Sequence, residues 1–128
     1  MSISKEQMKV LLKAQRGERD AVWMYKRLSR KVGSVEEKLA FLRLAKDEAR
    51  HEDVFRSLTG REVKASPAKA IMVPLMYKML GKDKVYRIIA DAEYKAADKY
   101  SNIIDEFPTV VPVMNDETHH GDAVMGLL

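Results

Sequence analysis

The chain has 128 residues, with 23 Lys and Arg against 19 Asp and Glu, giving a formal charge of +4. That length suits one domain, residues 1–128, with a sizeable core. Cysteine is absent, which excludes disulfides, thiolate zinc sites, iron–sulfur clusters and a thiol nucleophile. The basic residues are spread along the chain, so they read as solvated surface and no nucleic-acid partner is expected. Gly and Pro are few, and the abundance of Met, Leu, Ala and Lys favours an all-α fold. The N-terminus from Met1 to Glu6 has no apolar run after a basic start, so no signal peptide is expected. The longest apolar-rich stretch, Ala70 to Leu80, is too short to cross a bilayer and contains Pro74 and Lys78. A soluble, cytoplasmic protein without a membrane segment is the expectation.

The first helix is predicted from about Lys5 to Lys31, with Ser4 as N-cap. Leu11, Ala14, Glu18, Ala21 or Val22, Tyr25, Leu28 and Val32 recur at spacings of three and four and form its inward stripe. Glu18 lies in the middle of that stripe. A lone carboxylate there is costly, so Glu18 calls for a partner such as a metal, or else Gly17 and its polar neighbours keep this turn wet. Gly33-Ser34 breaks the chain, and Ser34 with Glu37 has the pattern of a capping box. The second helix, about Val35 to Leu58, carries Phe41, Leu44 or Ala45, Glu48, His51 or Glu52, Phe55 and Leu58 inward. Thr59-Gly60 ends it.

Residues 61–66 read as a loop. Ser66-Pro67 then opens a shorter helix to Leu80, with Ser as N-cap and Pro in its first turn. This segment is apolar on more than one side and is predicted to be kinked by Pro74. It has no ligand-type residues, so it reads as a crossover. Its surplus apolar surface predicts either a subunit contact, making a homodimer, or packing across one end of the bundle. After Gly81 the third long helix is predicted from about Lys84 to Glu106, with Glu93 interrupting its apolar seam as Glu18 does. Pro108 disfavours helix at Phe107 and Thr109 can cap the last helix, about Val110 to Gly126. Its stripe is Val113, Glu117, His120, Val124 and Leu127.

Two stretches share a pattern. Asp47-Glu48-Ala49-Arg50-His51 and Asp116-Glu117-Thr118-His119-His120 both read D-E-x-x-H. Residues three apart share a helix face, so each copy aims one carboxylate and one imidazole the same way. Two such helices, joined by two more that give one Glu each, build a di-metal site in a helix bundle. Antiparallel neighbours meet at equal height when they are equidistant from the turn. Glu18 and Glu48/His51 are centred near Gly33-Ser34, and Glu93 and Glu117/His120 near Asp105-Glu106. Both hairpins are therefore predicted to bring their ligands to one level. Glu18 to Tyr25 and Glu93 to Tyr100 also share E-x-x-A-x-x-x-Y, so the chain reads as an internal two-helix repeat.

These motifs resemble a rubrerythrin-type member of the ferritin-like di-iron carboxylate superfamily, over nearly the whole chain. The resemblance implies a ferritin-like four-helix bundle, with a long crossover containing an extra short helix between helices two and three. It implies two iron ions held by Glu18, Glu48, His51, Glu93, Glu117 and His120, which would act in catalysis through the metals. Glu48 and Glu117 would bridge, and Glu18 and Glu93 would be terminal. Asp47 and Asp116 match aspartates that hydrogen-bond ligand imidazoles and fix their orientation. The chain departs from full rubrerythrins in having no cysteine for a rubredoxin-like domain, and in having Ala96 where they carry a further carboxylate.

Carboxylate and imidazole donors suit Fe(II) and Mn, and can take Zn. The expected activity is oxidation of Fe(II) with O₂ or reduction of H₂O₂, drawing on an external electron donor and serving against oxidative stress. The alternative is an iron-binding protein for storage or delivery with little turnover. A bundle that has lost its metal and serves as an interaction platform is disfavoured by the intact ligands. Tyr25 and Tyr100, two turns from Glu18 and Glu93, read as core aromatics beside the ligands, with a redox relay as the alternative. Trp23 is read as packing and His119 as surface. Glu52 is either a spare carboxylate near the site or a solvated neighbour of His51.

Overall fold

The computed structural model describes residues 2–128. Four long helices and one shorter one account for its regular structure, with no strand among the described residues. Helix α1 spans Lys5–Ser29. Ser4 caps it, accepting from the Gln7 amide while the Gln7 side chain accepts from the Ser4 amide. Two otherwise orphaned N–H groups are thus satisfied reciprocally. Helix α2 spans Val35–Thr59, with Ser34 accepting from the Glu37 amide at 3.1 Å. Gly60 ends α2 at φ +66°, its N–H donating to the Arg56 carbonyl. Helix α3 is Ala68–Leu80 and runs through Pro74, α4 is Lys82–Tyr100, and α5 is Val111–Met125 after a 3-10 turn over Pro108–Val110. The order is that of a ferritin-like four-helix bundle with an extra short helix in the crossover.

The chain divides into two compact units, Met1–Met72 and Val73–Leu128. In the first, α1 packs on α2; in the second, α4 packs on α5. Leu11, Leu28, Phe41 and Phe55 are wholly buried in the first unit. Tyr25 stacks on Phe41 there with ring centroids 5.8 Å apart. The second unit closes over Val85, Tyr86, Val110 and Val124. Tyr77 stacks on Tyr86 at 6.1 Å and pins the end of α3 to α4. In the first unit the Ser66 amide donates to Asp20 at 2.6 Å and ties the crossover to α1.

Two boundaries and one inward position differ from expectation. Helix α4 stops at Tyr100, and residues 101–106 form turns. Ser101 turns its hydroxyl onto the Asp98 carbonyl, and the amides of Asn102 and Ile103 reach back only three residues. Ser and Asn side chains compete with the helix in this way, and the next residues are β-branched Ile103 and Ile104. Thr109 does not cap α5. The chain tightens into the 3-10 turn from Pro108, and the residue before α5 is Val110, with no side-chain cap bond. In α1 the buried position is Gln15 rather than Ala14.

The expected surplus of apolar surface on α3 is present. Only Ala70 is buried, while Ile71, Met72, Leu75 and Met79 are each more than half exposed. No helix is long and apolar enough to cross a membrane, among the described residues.

Gly60 and Gly33 separate backbone strain from space, because an added Cβ meets nothing within 4 Å at either. Only Gly60 is left-handed. Gly60→Ala is expected to cost about 1–2 kcal/mol, the penalty of the left-handed region for an L-residue. Gly33→Ala is expected to be neutral or slightly stabilising. Urea midpoints of the two variants check this.

Candidate metal centre

Glu18 comes from the middle of α1, and Glu48 and His51 from one face of α2, one turn apart. The equal-height expectation is met: the three converge, each with only 2% of its surface exposed. His51 Nδ1 lies 3.3 Å from Glu18 Oε2 and 3.2 Å from Glu48 Oε1. The second unit repeats the arrangement. Glu93 of α4 meets Glu117 and His120 of α5, and His120 Nδ1 lies 3.6 Å from Glu93 Oε2 and 3.4 Å from Glu117 Oε1. These residues are 5%, 2% and 3% exposed. Within each trio, every residue offers a ligand atom within 4.8 Å of the others. The seam thus excludes the wet turn that Gly17 would otherwise have allowed at Glu18.

Each trio is two carboxylates and one imidazole, and it presents Nδ1 towards the carboxylate oxygens. Oxygen and nitrogen donors of this kind suit divalent iron, manganese or zinc. Two carboxylates side by side in an apolar seam repel each other and are poorly solvated. A divalent cation there offsets both charges. The donor set, burial and spacing therefore fit a metal.

The remaining predicted residues fall around these trios. Asp47 and Asp116 are half-buried, and Asp47 accepts from Arg50 on its own helix. Tyr25 and Tyr100 are buried, at 1% and 8% exposure, as core aromatics should be. Ala96 is half-buried and His119 is exposed. Trp23 is 48% exposed, not core, and the Lys26 ammonium lies over its ring at 5.2 Å. It forms one wall of a 280 Å³ hollow with Arg27, Pro67 and Ile71, which holds no carboxylate or imidazole and is not the metal centre.

Of the two readings of Glu52, the solvated one fails: it is a carboxylate beside the site. It is buried and gripped by two guanidinium groups, Arg19 at 3.1 Å and Arg56 at 2.6 Å. Gln15, wholly buried, donates to the Arg61 carbonyl at 2.7 Å and accepts from the Thr59 hydroxyl at 2.7 Å. Burial alone would lower the Arg56 pKa, but Glu52, Glu62 and Asp53 together hold it above the usual guanidinium range. At the repeat-equivalent place in the second unit there is no charge network. Gly121 stands in place of Glu52 and Tyr94 in place of Arg19. A Cβ on Gly121 would strike the Tyr94 ring. Tyr94 donates to Asp122 at 2.6 Å, and that bond, reinforced by burial and the Asp122 charge, pushes its hydroxyl pKa up.

The Rubrerythrin family model matches residues 9–128. The chain belongs to the rubrerythrin family. No curated protein and no solved structure matches it. Rubrerythrins typically bind iron, and the match takes in every residue of both buried trios.

Two measurements test this centre. If the trios hold divalent metal, Fe(II) or Mn(II) raises the melting temperature, by about 2.7 kcal/mol of stabilisation at a hundredfold excess over the dissociation constant. His51→Ala and His120→Ala should each shrink that rise, and a chelator should abolish it in the parent protein. In the second unit, Gly121→Ala is expected to stabilise a Tyr94→Ala background by about 1 kcal/mol through helix propensity. The same change should lose that gain, or destabilise, when Tyr94 is present, as a double-mutant thermal melt would show.

Proposed function

We propose that this chain is a single-domain, non-haem di-iron oxidoreductase that oxidises Fe(II) with O₂ or reduces peroxide. The observation that carries this reading is the duplicated buried trio. Six ionisable side chains sit in apolar seams, at matched heights in two hairpins, with an imidazole and two carboxylates in each. Membership of the rubrerythrin family supports iron as the metal.

On this reading Glu18, Glu48 and His51 hold one iron ion, and Glu93, Glu117 and His120 the other. Glu48 and Glu117 would be the bridging carboxylates that the family resemblance implies, and Glu18 and Glu93 the terminal ones. A bound di-iron pair supplies two electrons to O₂ or peroxide in one encounter. The chain's own residues do the rest. Four Glu carboxylates balance two divalent cations, so the loaded core is close to neutral, and carboxylate ligation favours the ferric state. His51 and His120 would offer Nδ1 to the metal, since Nδ1 faces the carboxylates. That leaves Nε2 to be oriented by a hydrogen-bond acceptor, the role proposed for Asp47 and Asp116. Tyr25 and Tyr100 line the apolar wall and exclude water. The exposed apolar residues of α3 support a homodimer.

A second reading is favoured by Ala96. It leaves α4 without a further carboxylate one turn beyond Glu93, so the chain would hold iron for storage or delivery with little turnover. Anaerobic loading with Fe(II), followed by rapid mixing with O₂ or H₂O₂, separates the two. The oxidoreductase reading expects complete oxidation within seconds and repeated turnover when a reductant is supplied. Oxidation no faster than that of free Fe(II) favours storage. Glu48→Ala and Glu117→Ala should each abolish fast oxidation and lower the iron content of the purified protein below two per chain.

A further inference from the structure

The two hairpins bring their trios together by different means. In the first, Arg19 follows Glu18 in α1 and Glu52 follows His51 in α2, so the bond between them crosses the hairpin one residue from the ligands on each side. It is 3.1 Å long, and the same Glu52 oxygen accepts from Arg56 at 2.6 Å. Such charge-assisted bonds are directional, whereas apolar packing alone lets two helices slide or roll by small amounts. An ion pair between a buried carboxylate and partly exposed guanidinium groups adds little to stability, so its value here lies in geometry.

Aligning the repeats on Glu18 with Glu93 and on His51 with His120 puts Tyr94 at the place of Arg19 and Gly121 at the place of Glu52. Both members of the crossing pair have changed together. A tyrosine in place of arginine has met a glycine that removes the side chain its ring would strike. Solvated positions would have no reason to change as a pair. In both units these two positions make the cross-helix contact next to the trio: a charge clamp in one, a ring seated on bare backbone in the other.

We propose that Glu52, clamped by Arg19 and Arg56, is a positioning residue that sets the register of Glu18 against Glu48 and His51, and that Tyr94 seated on Gly121 does the same for the second trio. This rests on the di-metal reading above. It makes the two half-sites unequal in their response, since a charge-removing change at position 52 loosens the first trio directly and reaches the second only through Glu48, a bridging ligand on that reading.

The test uses Co(II) alone as probe, with calorimetric titration, metal counting and the visible absorption of the bound ion, in backgrounds that retain one imidazole. His120→Ala leaves the first trio whole, and His51→Ala the second. Glu52→Gln is expected to weaken Co(II) binding at least tenfold and to shift the absorption band in the His120→Ala background. In the His51→Ala background it should change binding less than twofold. Equal effects in both backgrounds, or none in either, would overturn the positioning role. If Glu52→Gln does not fold, Arg19→Lys, which keeps the charge and loses the fork on a partly exposed side chain, should weaken the same half-site several-fold; no change there overturns the proposal. A parent protein that binds no Co(II), or that His51→Ala and His120→Ala leave unaltered, would remove the di-metal reading itself.

Discussion

The constraint on which this molecule turns is the burial of carboxylates in apolar helix seams. Glu18, Glu48, Glu93 and Glu117 occupy places where leucine or alanine would pack without cost. Each needs compensation that water cannot supply; for Glu48 and Glu117 the imidazole one turn along the same face is at hand, and Glu18 and Glu93 meet that imidazole from the neighbouring helix. A helix can set the same-face pair by spacing alone. Bringing the third group from another helix takes a hairpin of the right length, so the loop at Gly33-Ser34 and the turns at 101–106 govern the trios as much as the carboxylates and imidazoles do. The caps matter for this reason. Ser4, Ser34 and Gly60 fix where helices start and stop, and with them the height at which each Glu meets its partners.

Much of this was legible in the sequence. The D-E-x-x-H copies, the solitary Glu18 and Glu93, and their equal distances from the breaks specify both trios from helix geometry. The ends of α1 and α2 followed from Ser, Gly and the 3.6-residue period. The end of α4 did not, because Ile103 and Ile104 continue the apolar period after the backbone has begun to unwind at Ser101 and Asn102. Periodicity records which side chains face inward and is blind to whether the hydrogen bonds reach back three residues or four. Thr109 misled for a related reason: a good capping residue only caps where the chain is extended, and Pro108 had already turned it.

The charge clamp was hidden for a different reason. Gln15, Arg19, Glu52 and Arg56 are residue types that usually sit in water, so a pattern of polar positions gives no sign that they are buried or partly buried against one another. A signal was present nonetheless. Glu48, Glu52 and Arg56 are spaced by four on α2, and Gln15 and Arg19 by four on α1, so each row stays on one face beside the ligand seam. Trp23 shows the converse. An aromatic residue in a helical sequence suggests core, yet it stands off the buried stripe, and its exposed ring is covered by the Lys26 ammonium instead.

The internal repeat makes these differences readable. Where the two hairpins agree, at the carboxylates, the imidazoles and the tyrosines two turns on, the residues answer to the same chemistry. At the crossing next to the trio they differ, Arg19 with Glu52 against Tyr94 with Gly121, and each pair remains a contact. A ligand must keep its donor atoms, whereas a brace need only keep its length and stiffness. An ion pair and a ring on a glycine can therefore stand in for each other as supports, although neither could replace a ligand. Matching trios with differing braces are what a duplicated hairpin produces when the two trios answer to one demand and the helices around them are free to solve the packing separately.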